Sequence, residues 1–173
     1  MSLYRSALSM AVCVMALCAG LALSGVRAEE SHASWRFYED HGKAQLVITD
    51  TDEATDNIGS PSFECTGASN EIIVRGEAKE PLRRAIAAFI VAGKYPKVEL
   101  GVDAAGYGSL LTIAYSEVAG WEYGFHMSAS SGAFERFKRT GVLEFALGKT
   151  AFKETFTVGL EAVAKFHAFC KPK

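Results

Sequence analysis

The sequence has few of the features that identify an enzyme or a nucleic-acid-binding protein. Its 173 residues contain no S-x-x-K, G-x-S-x-G or H-E-x-x-H motif and no glycine-rich phosphate loop opening a helix. The four histidines are too scattered along the chain to suggest a metal site. With 18 basic and 20 acidic residues, the chain also lacks the excess positive charge that attracts nucleic acid. The sequence therefore predicts no catalytic residue, no metal and no cofactor.

Residues 1–28 have the composition of a secretory signal peptide. They carry Arg5 and Arg27 but no acidic residue. Between these two arginines lies an apolar run that is short for a transmembrane helix. Cleavage after Ala28 would leave 29–173 as a single β-rich domain. The formal net charge would then change from −2 to −4, because two arginines are removed.

An uncleaved N-terminal anchor is the alternative to a cleaved signal peptide. Glu29 and Glu30 argue against it, because they do not continue an apolar helix. In both cases the domain is expected to lie outside the cytoplasm, as a periplasmic or secreted protein with no membrane span after signal removal. An acidic domain of this kind is not expected to bind nucleic acid.

Cysteine becomes scarce once the signal peptide is removed. Cys13 and Cys18 lie within it, which leaves Cys65 and Cys170 in an oxidising compartment. These two are expected to form a disulfide bond that ties the last helix to an early strand. In the chain-entropy view, a bridge across so long a loop contributes at most about 4 to 5 kcal/mol. Neither cysteine belongs to a C-x-x-C motif or lies beside a histidine cluster, which argues against redox chemistry or metal binding.

Most of the remaining chain alternates apolar and polar residues, which is typical of half-buried antiparallel strands. In one strand Trp121, Tyr123, Phe125 and Met127 share a face that is expected to be buried. Glu154 is an acidic exception on the apolar face of another strand. The nine predicted strands are Ser34–Glu39, Lys43–Thr49, Ser62–Cys65, Glu71–Glu77, Val98–Val102, Ser109–Glu117, Trp121–Ser128, Val142–Gly148 and Phe152–Val158.

Two helices are predicted between the strands. An amphipathic helix spans about 81–92, with Pro81 at its first turn and Gly93 as its stop, and a C-terminal helix spans Leu160–Cys170. Ala133–Lys138 is expected to form a short helical turn. Together these elements predict a mainly β fold, an antiparallel β-sandwich-like domain with helical additions. An α+β fold with a curved antiparallel sheet is the alternative.

His126, with Ser128 or Ser130, is the nearest approach to a hydrolase-like cluster. His126 falls on the polar face of its strand, so a solvated histidine is the favoured interpretation and a hydrolase is the alternative. The hydrolase hypothesis requires a concave site around the imidazole.

The segment 128–134 is predicted to form a protruding loop that could enter a partner's cleft. It is similar to the Ser-Gly-aromatic loop that bacterial periplasmic lysozyme inhibitors insert into the lysozyme active site. The resemblance implies a partner-binding role for Ser130, Ser131, Gly132 and Phe134. An ordinary surface loop is the alternative.

A wider set of short motifs covers most of the chain after the signal peptide. These motifs are Pro61-Ser62-Phe63-Glu64-Cys65, Gly120-Trp121-x-Tyr123-x-Phe125 and Phe166-x-x-Phe169-Cys170. In these the chain resembles small exported proteins of uncharacterised function from α-proteobacteria. The resemblance implies export, the bridge between Cys65 and Cys170, and a β-rich fold. It implies no activity.

The sequence thus favours a non-enzymatic binding protein associated with the cell envelope. Its expected partner is an unidentified protein or glycan of the envelope, because an exported domain without a catalytic frame more often presents a surface than performs chemistry. A structural component of an envelope assembly and the two alternatives above remain open. A helix face with Arg83 and Arg84, flanked by Lys79 and Lys94, could contact an anionic partner or simply be solvated.

The acidic segment Asp50–Asn57 supplies carboxylates that calcium prefers, but it lacks the spacing of an EF-hand. The sixth position is Thr55 where such a loop has glycine, and the twelfth is Pro61 where it has glutamate. A solvated acidic connection is therefore the favoured interpretation.

Calcium is accordingly expected to leave the melting temperature unchanged. Thermal melts with and without millimolar calcium test this. An upward shift that disappears in the double variant Asp52→Ala with Asp56→Ala would show that the segment does bind the ion.

Overall fold

In the part of the chain that the structure describes, the alternating residues form ten strands, and three helices connect or follow them. The computed structural model describes residues 33–50, 59–100, 109–117 and 120–172. The elements in these ranges are, in chain order, β1 (Ser34–Asp40), β2 (Lys43–Thr49), β3 (Gly59–Thr66), β4 (Glu71–Glu77), α1 (Glu80–Val91), β5 (Lys97–Glu99), β6 (Ser109–Leu110), β7 (Thr112–Ser116), β8 (Gly120–Ser128), α2 (Gly132–Thr140), β9 (Val142–Leu147), β10 (Thr150–Thr155) and α3 (Leu160–Cys170).

The strands form two antiparallel sheets. The six-stranded sheet has the order β1-β2-β3-β4-β8-β7, and the four-stranded sheet has the order β10-β9-β5-β6. Short turns impose the antiparallel pairing: between β1 and β2, His41 and Gly42 adopt positive φ angles of 48° and 78°. The predicted mainly β antiparallel fold, with an amphipathic helix and a C-terminal helix, is confirmed.

The prediction of one continuous strand over Ser109–Glu117 is wrong, because the chain changes sheet within it. β6 pairs with β5 in the four-stranded sheet, whereas β7 pairs with β8 in the six-stranded sheet. Leu111 lies between them, and its N–H donates to the Pro96 carbonyl at 3.0 Å. The buried Leu111 side chain thus marks the crossing from one sheet to the other.

The predicted short helical turn is a complete helix of nine residues, α2. Ser131 caps its first turn, since its hydroxyl accepts from the Phe134 N–H at 3.1 Å. Gly141 ends it with a φ of 67°, the left-handed conformation that favours glycine. Phe134 and Phe137 are buried on one side of the helix.

Aromatic side chains join the sheets and helices into one core. Trp35, Phe63 and Phe137 lie in mutual contact, with ring centroids 4.8–5.6 Å apart. Phe125 of β8 contacts Phe145 of β9 at 5.2 Å and thereby links the two sheets. Each such pair adds about 0.5–1.5 kcal/mol beyond the burial of its surface.

The predicted disulfide bond between Cys65 and Cys170 is confirmed. It joins β3 to the last residue of α3 across a sequence separation of 105 residues, and both cysteines are buried. Two backbone hydrogen bonds reinforce this attachment: Ala68 N–H donates to the Phe169 carbonyl at 3.1 Å, and Asn70 N–H donates to the Cys170 carbonyl at 3.0 Å. α3 is therefore held against the six-stranded sheet both covalently and through its C-terminal carbonyls.

The predicted signal peptide, residues 1–28, lies outside the described residues. Within the part of the chain that the structure describes, no helix is both long and apolar enough to cross a membrane.

Removing the disulfide is expected to destabilise the domain strongly. The double variant Cys65→Ala with Cys170→Ala should lose up to about 4 to 5 kcal/mol of unfolding free energy in urea, because the unfolded chain is no longer constrained. Wild-type protein treated with a reductant should show a comparable loss, and the variant should not respond to the reductant. Two free thiols titrated in the oxidised, denatured, exported chain 29–173 would contradict the bridge.

Candidate functional site

Helix α1 presents two neighbouring stripes of residues to the sheet. Leu82 and Ile86 are buried and anchor the helix. Because residues three and four apart share a helix face, Arg83, Ala87 and Ile90 form an adjoining stripe. This second stripe faces a groove between α1 and the β7–β8 end of the six-stranded sheet.

The other side of the groove is the inner face of the six-stranded sheet. At this end the face extends beyond the elements that pack against it. Ile113 lies opposite Tyr123, and Tyr115 lies opposite Trp121. Residues opposite each other on antiparallel strands share a face, so all four belong to the face that carries the core. Tyr123 is buried, but Trp121 is 45% exposed and Tyr115 is 63% exposed. The core face of the sheet is therefore open to solvent at this end.

The resulting groove has a volume of about 260 Å³ and an almost wholly apolar surface. The Tyr115 and Trp121 rings stand edge to face beside it, with centroids 5.3 Å apart. The residues that line the groove are Ala78, Arg83, Ile86, Ala87, Ile90, Ile113 and Trp121. An open apolar groove of this kind is a common form of ligand-binding site.

Positive charge collects on the helical wall of the groove. Arg83 contacts the Glu80 carboxylate at 2.9 Å, and Arg84 contacts the same carboxylate at 3.4 Å. One carboxylate is thus shared by two guanidinium groups, and Lys79 precedes the helix. Because exposed ion pairs of this type contribute only about 0–1 kcal/mol, an anionic ligand can compete with Glu80 for Arg83.

A second recess, beside Glu154, is too small to serve as a binding site for a small molecule. Glu154, the acidic exception in the apolar pattern, lines a recess of only about 30 Å³. Such a volume holds a water molecule, whereas ligand sites usually measure about 300 Å³ or more. Burial raises the pKa of the Glu154 carboxyl, against the opposing effects of Lys79 and Tyr123.

Tyr123 is the buried partner of this carboxyl, and a glycine makes room for its ring. Gly76 lies opposite Tyr123, and a Cβ at Gly76 would fall 2.6 Å from the Tyr123 hydroxyl oxygen. That hydroxyl is buried and has no hydrogen-bond partner of good geometry. Burial, followed by the nearby Glu154 carboxylate, raises the pKa of Tyr123 above its ordinary value. The pair connects β8 with β10 and is a structural contact between sheets.

The contacts around His126 do not favour the hydrolase hypothesis. His126 Nδ1 lies 2.8 Å from a Glu71 carboxylate oxygen. The Ser130 hydroxyl donates to Asn70 Oδ1 at 2.8 Å, so its proton is engaged by this amide oxygen. Ser128 is buried, and its hydroxyl accepts from the Ser130 N–H at 3.1 Å. The hydroxyls are thus engaged in shaping the turn that follows β8.

The structure divides the predicted partner-binding loop between the end of β8, a short turn and the first residues of α2. Ser131 is the helix cap, and Phe134 is 0% exposed, in contact with Phe63 and Phe137. Phe134 is therefore not presented to a partner, because the aromatic core holds it. Ser130 on the turn and Gly132 at the first position of α2 remain exposed.

His167 ties this turn to α3. Its Nε2 donates to the Ala129 carbonyl at 2.9 Å, its Nδ1 lies 3.2 Å from Lys138 Nζ, and its ring stacks on Phe134. Burial and the neighbouring Lys138 charge lower the pKa of His167. A neutral imidazole fits these contacts, since Nε2 then donates and Nδ1 accepts.

The described residues contain no group of three or more His, Cys, Asp or Glu side chains that could hold a metal ion. His41 lies in the turn after β1, beside Asp40. His32 and most of the acidic segment, residues 51–58, lie outside the described ranges, so the expectation about calcium stays a prediction.

Replacing Glu154 with glutamine is expected to raise the melting temperature by a few degrees near pH 8 and to have little effect near pH 4. The folded-state pKa of Glu154 is raised, so its contribution to stability is present below the unfolded pKa and is lost as the pH rises through the folded pKa. Glutamine does not ionise, so the variant does not lose this stability as the pH rises. Thermal melts across this pH range measure the difference, with Glu39→Gln at an exposed β1 position as the matched control. An equal shift at both pH values would contradict the assignment.

Comparisons with protein families, curated proteins and solved structures found no match to the chain. The resemblance to small exported α-proteobacterial proteins stays a prediction from short motifs.

Proposed function

We propose that the protein is an exported, non-enzymatic binding protein, periplasmic or secreted, whose ligand site is the groove between α1 and the β7–β8 end of the six-stranded sheet. The ligand is an amphipathic anion, with an apolar chain that enters the groove and a carboxylate or phosphate group at its mouth. The single observation that carries this proposal is the apolar groove with Arg83 on its wall.

The apolar lining of the groove supports the proposal that the ligand has an apolar chain. Ile86, Ile113 and Trp121 are drawn from three different elements, so a chain lying between them is contacted on several sides. Each methylene group that leaves water for such a surface contributes about 0.8 kcal/mol. A glycan is a poorer occupant, because among the described lining side chains its hydroxyl groups would find only the Arg83 guanidinium and the Trp121 indole N–H as polar partners.

The charge on the helical wall supports the proposal that the ligand has an anionic head group. Arg83 and Arg84 share one carboxylate, that of Glu80, so this part of the helix carries an excess of positive charge although the whole chain has a net charge of −2. A guanidinium group binds carboxylate and phosphate through paired hydrogen bonds, which makes Arg83 suited to an anionic head group.

The size of the groove supports partial enclosure of the ligand. At about 260 Å³ it is somewhat smaller than typical sites for whole small molecules, which span roughly 300–1,000 Å³. The groove therefore fits the apolar part of an amphiphile and leaves the head group at the surface.

The chemistry of the lining supports a non-enzymatic role, and the disulfide bond supports export. Arg83 is the one ionisable side chain among the described lining residues, and arginine is neither a nucleophile nor a base at neutral pH. This favours binding over catalysis. The bond between Cys65 and Cys170 is of the kind that persists in oxidising compartments, which supports export.

Dodecanoate is expected to bind the oxidised protein and to displace the fluorescent probe anilinonaphthalene sulfonate. Ala87→Leu should reduce dodecanoate affinity about tenfold or more by filling the groove, a change of about 1.4 kcal/mol. Ala88→Leu is the matched control, because Ala88 is exposed on the same helix and does not line the groove. Isothermal titration calorimetry measures both affinities.

The charge requirement is tested separately. Arg83→Gln should weaken dodecanoate binding about tenfold and leave dodecanol binding unchanged, while Arg139→Gln on α2 should affect neither. If dodecanoate does not bind, or if Ala87→Leu and Ala88→Leu bind it equally, the groove is not the site. If dodecanol binds as tightly as dodecanoate, the anionic head group is not recognised.

A further inference from the structure

Each of the two open sheets ends in two edge strands, and three of the four described edges carry features that discourage pairing with another chain. β1 contains Arg36, Glu39 and Asp40, and the N–H of Trp35 on this strand donates to the Val158 carbonyl at 3.0 Å. β10 carries Lys153 and Glu154, and β6 is only two residues long. Charge, cover and shortness are the usual protections of a sheet edge.

β7 lacks these protections. Its sequence, Thr-Ile-Ala-Tyr-Ser, contains no charged residue and no proline. It pairs with β8 on one side, and within the described residues no strand pairs with its other side. Tyr115 and Ala114 are exposed on it. An edge of this composition is suited to receive another strand.

We propose that a second copy of this chain pairs with β7 in antiparallel orientation, about a two-fold axis through Ala114. The two six-stranded sheets then become one continuous sheet. The inference is argued from the edge of β7 and not from any ligand of the groove, so it does not rest on the proposed function.

The sequence of β7 is self-complementary about this axis. Ala114 lies opposite Ala114 of the partner subunit, and Ile113 lies opposite Tyr115 of the partner subunit. A β-branched residue opposite an aromatic one is among the favourable cross-strand pairs, and no like charges face each other within the strand. Two-fold pairing with isologous contacts is also the commonest way in which identical chains associate.

The two faces of the sheet fix the position of the axis. Residues opposite each other must share a face, and Ile113 and Tyr115 lie on the inner face while Ala114 lies on the outer face. An axis between two residues would place an inner-face residue opposite an outer-face one. Among axes that pass through a residue, the one at Ala114 pairs all five positions of β7.

The pairing also places apolar surface at the mouth of the groove. Ile113 lines the groove, and the partner subunit's Tyr115 would lie beside it on the inner face. Tyr115, which is 63% exposed in the single chain, thereby becomes covered. Because the arrangement is two-fold, each subunit's Tyr115 lies against the other subunit. The inner face of the sheet, which is open at this end of a single chain, then continues into the sheet of the partner subunit.

The oligomeric state of the oxidised protein tests this arrangement. Sedimentation equilibrium should give twice the mass of a single chain for the wild type. Ala114→Glu should weaken the dimer about tenfold or more, because two carboxylates then face each other beside the Glu122 side chains. Ala151→Glu, at an exposed position of β10, is the matched control and should remain dimeric. Mixing Ala114→Glu with Ala114→Lys should restore the dimer, which loss of folding could not explain.

A covalent test covers the case in which the charged variants fail to fold. Residues opposite each other in an antiparallel pair have Cα atoms about 4.5–5.5 Å apart, within the range of a disulfide bond. Ala114→Cys should therefore form a disulfide-linked dimer under oxidising conditions, and Ala151→Cys should not. A wild type that stays monomeric at millimolar concentration, a dimer that Ala114→Glu does not weaken, or failure of Ala114→Cys to cross-link would each overturn the proposal.

Discussion

The inner face of the six-stranded sheet is apolar from one edge to the other, and the rest of the fold follows from the need to cover it. At the β1 edge and in the middle of the sheet, Trp35, Phe63 and Phe125 are almost fully buried beneath α2, α3 and β9. At the β7 edge α1 forms one wall of the groove, and Trp121 and Tyr115 stay partly exposed. The groove is thus an extension of the hydrophobic core into solvent.

The two ends of the sheet differ in how firmly their cover is attached. α3 is fixed by the bond between Cys65 and Cys170, by two backbone hydrogen bonds and by His167. α1 is held by the burial of Leu82 and Ile86. Local opening costs least where buried contacts are fewest, so the α1 end is the end that can yield to a ligand. The segment that resembles a partner-binding loop lies instead at the firmly attached end.

Local sequence patterns predicted most of the fold but little of the candidate site. Alternation identified β8, the Pro81 start identified α1, and the count of cysteines after signal removal identified the bridge. Alternation assigns Trp121 to a face of the sheet, but whether that face is covered depends on how far α1 extends over it. That is a property of long-range packing, in which β8 pairs with β7 on one side and with β4, far away in sequence, on the other. The capping of α2 by Ser131 and Gly141 was a local signal, and it could have been recognised beside the apolar positions of Phe134 and Phe137.

Gly76 and Tyr123 are distant in sequence, but a side chain at position 76 and the ring at position 123 would occupy the same space. The Tyr123 ring occupies the space that a side chain at Gly76 would need, because the two residues lie opposite each other on β4 and β8. Any relative of this chain that carries a side chain at position 76 must therefore have a smaller residue, or a differently directed ring, at position 123. Positions 76 and 123 should therefore covary as a unit.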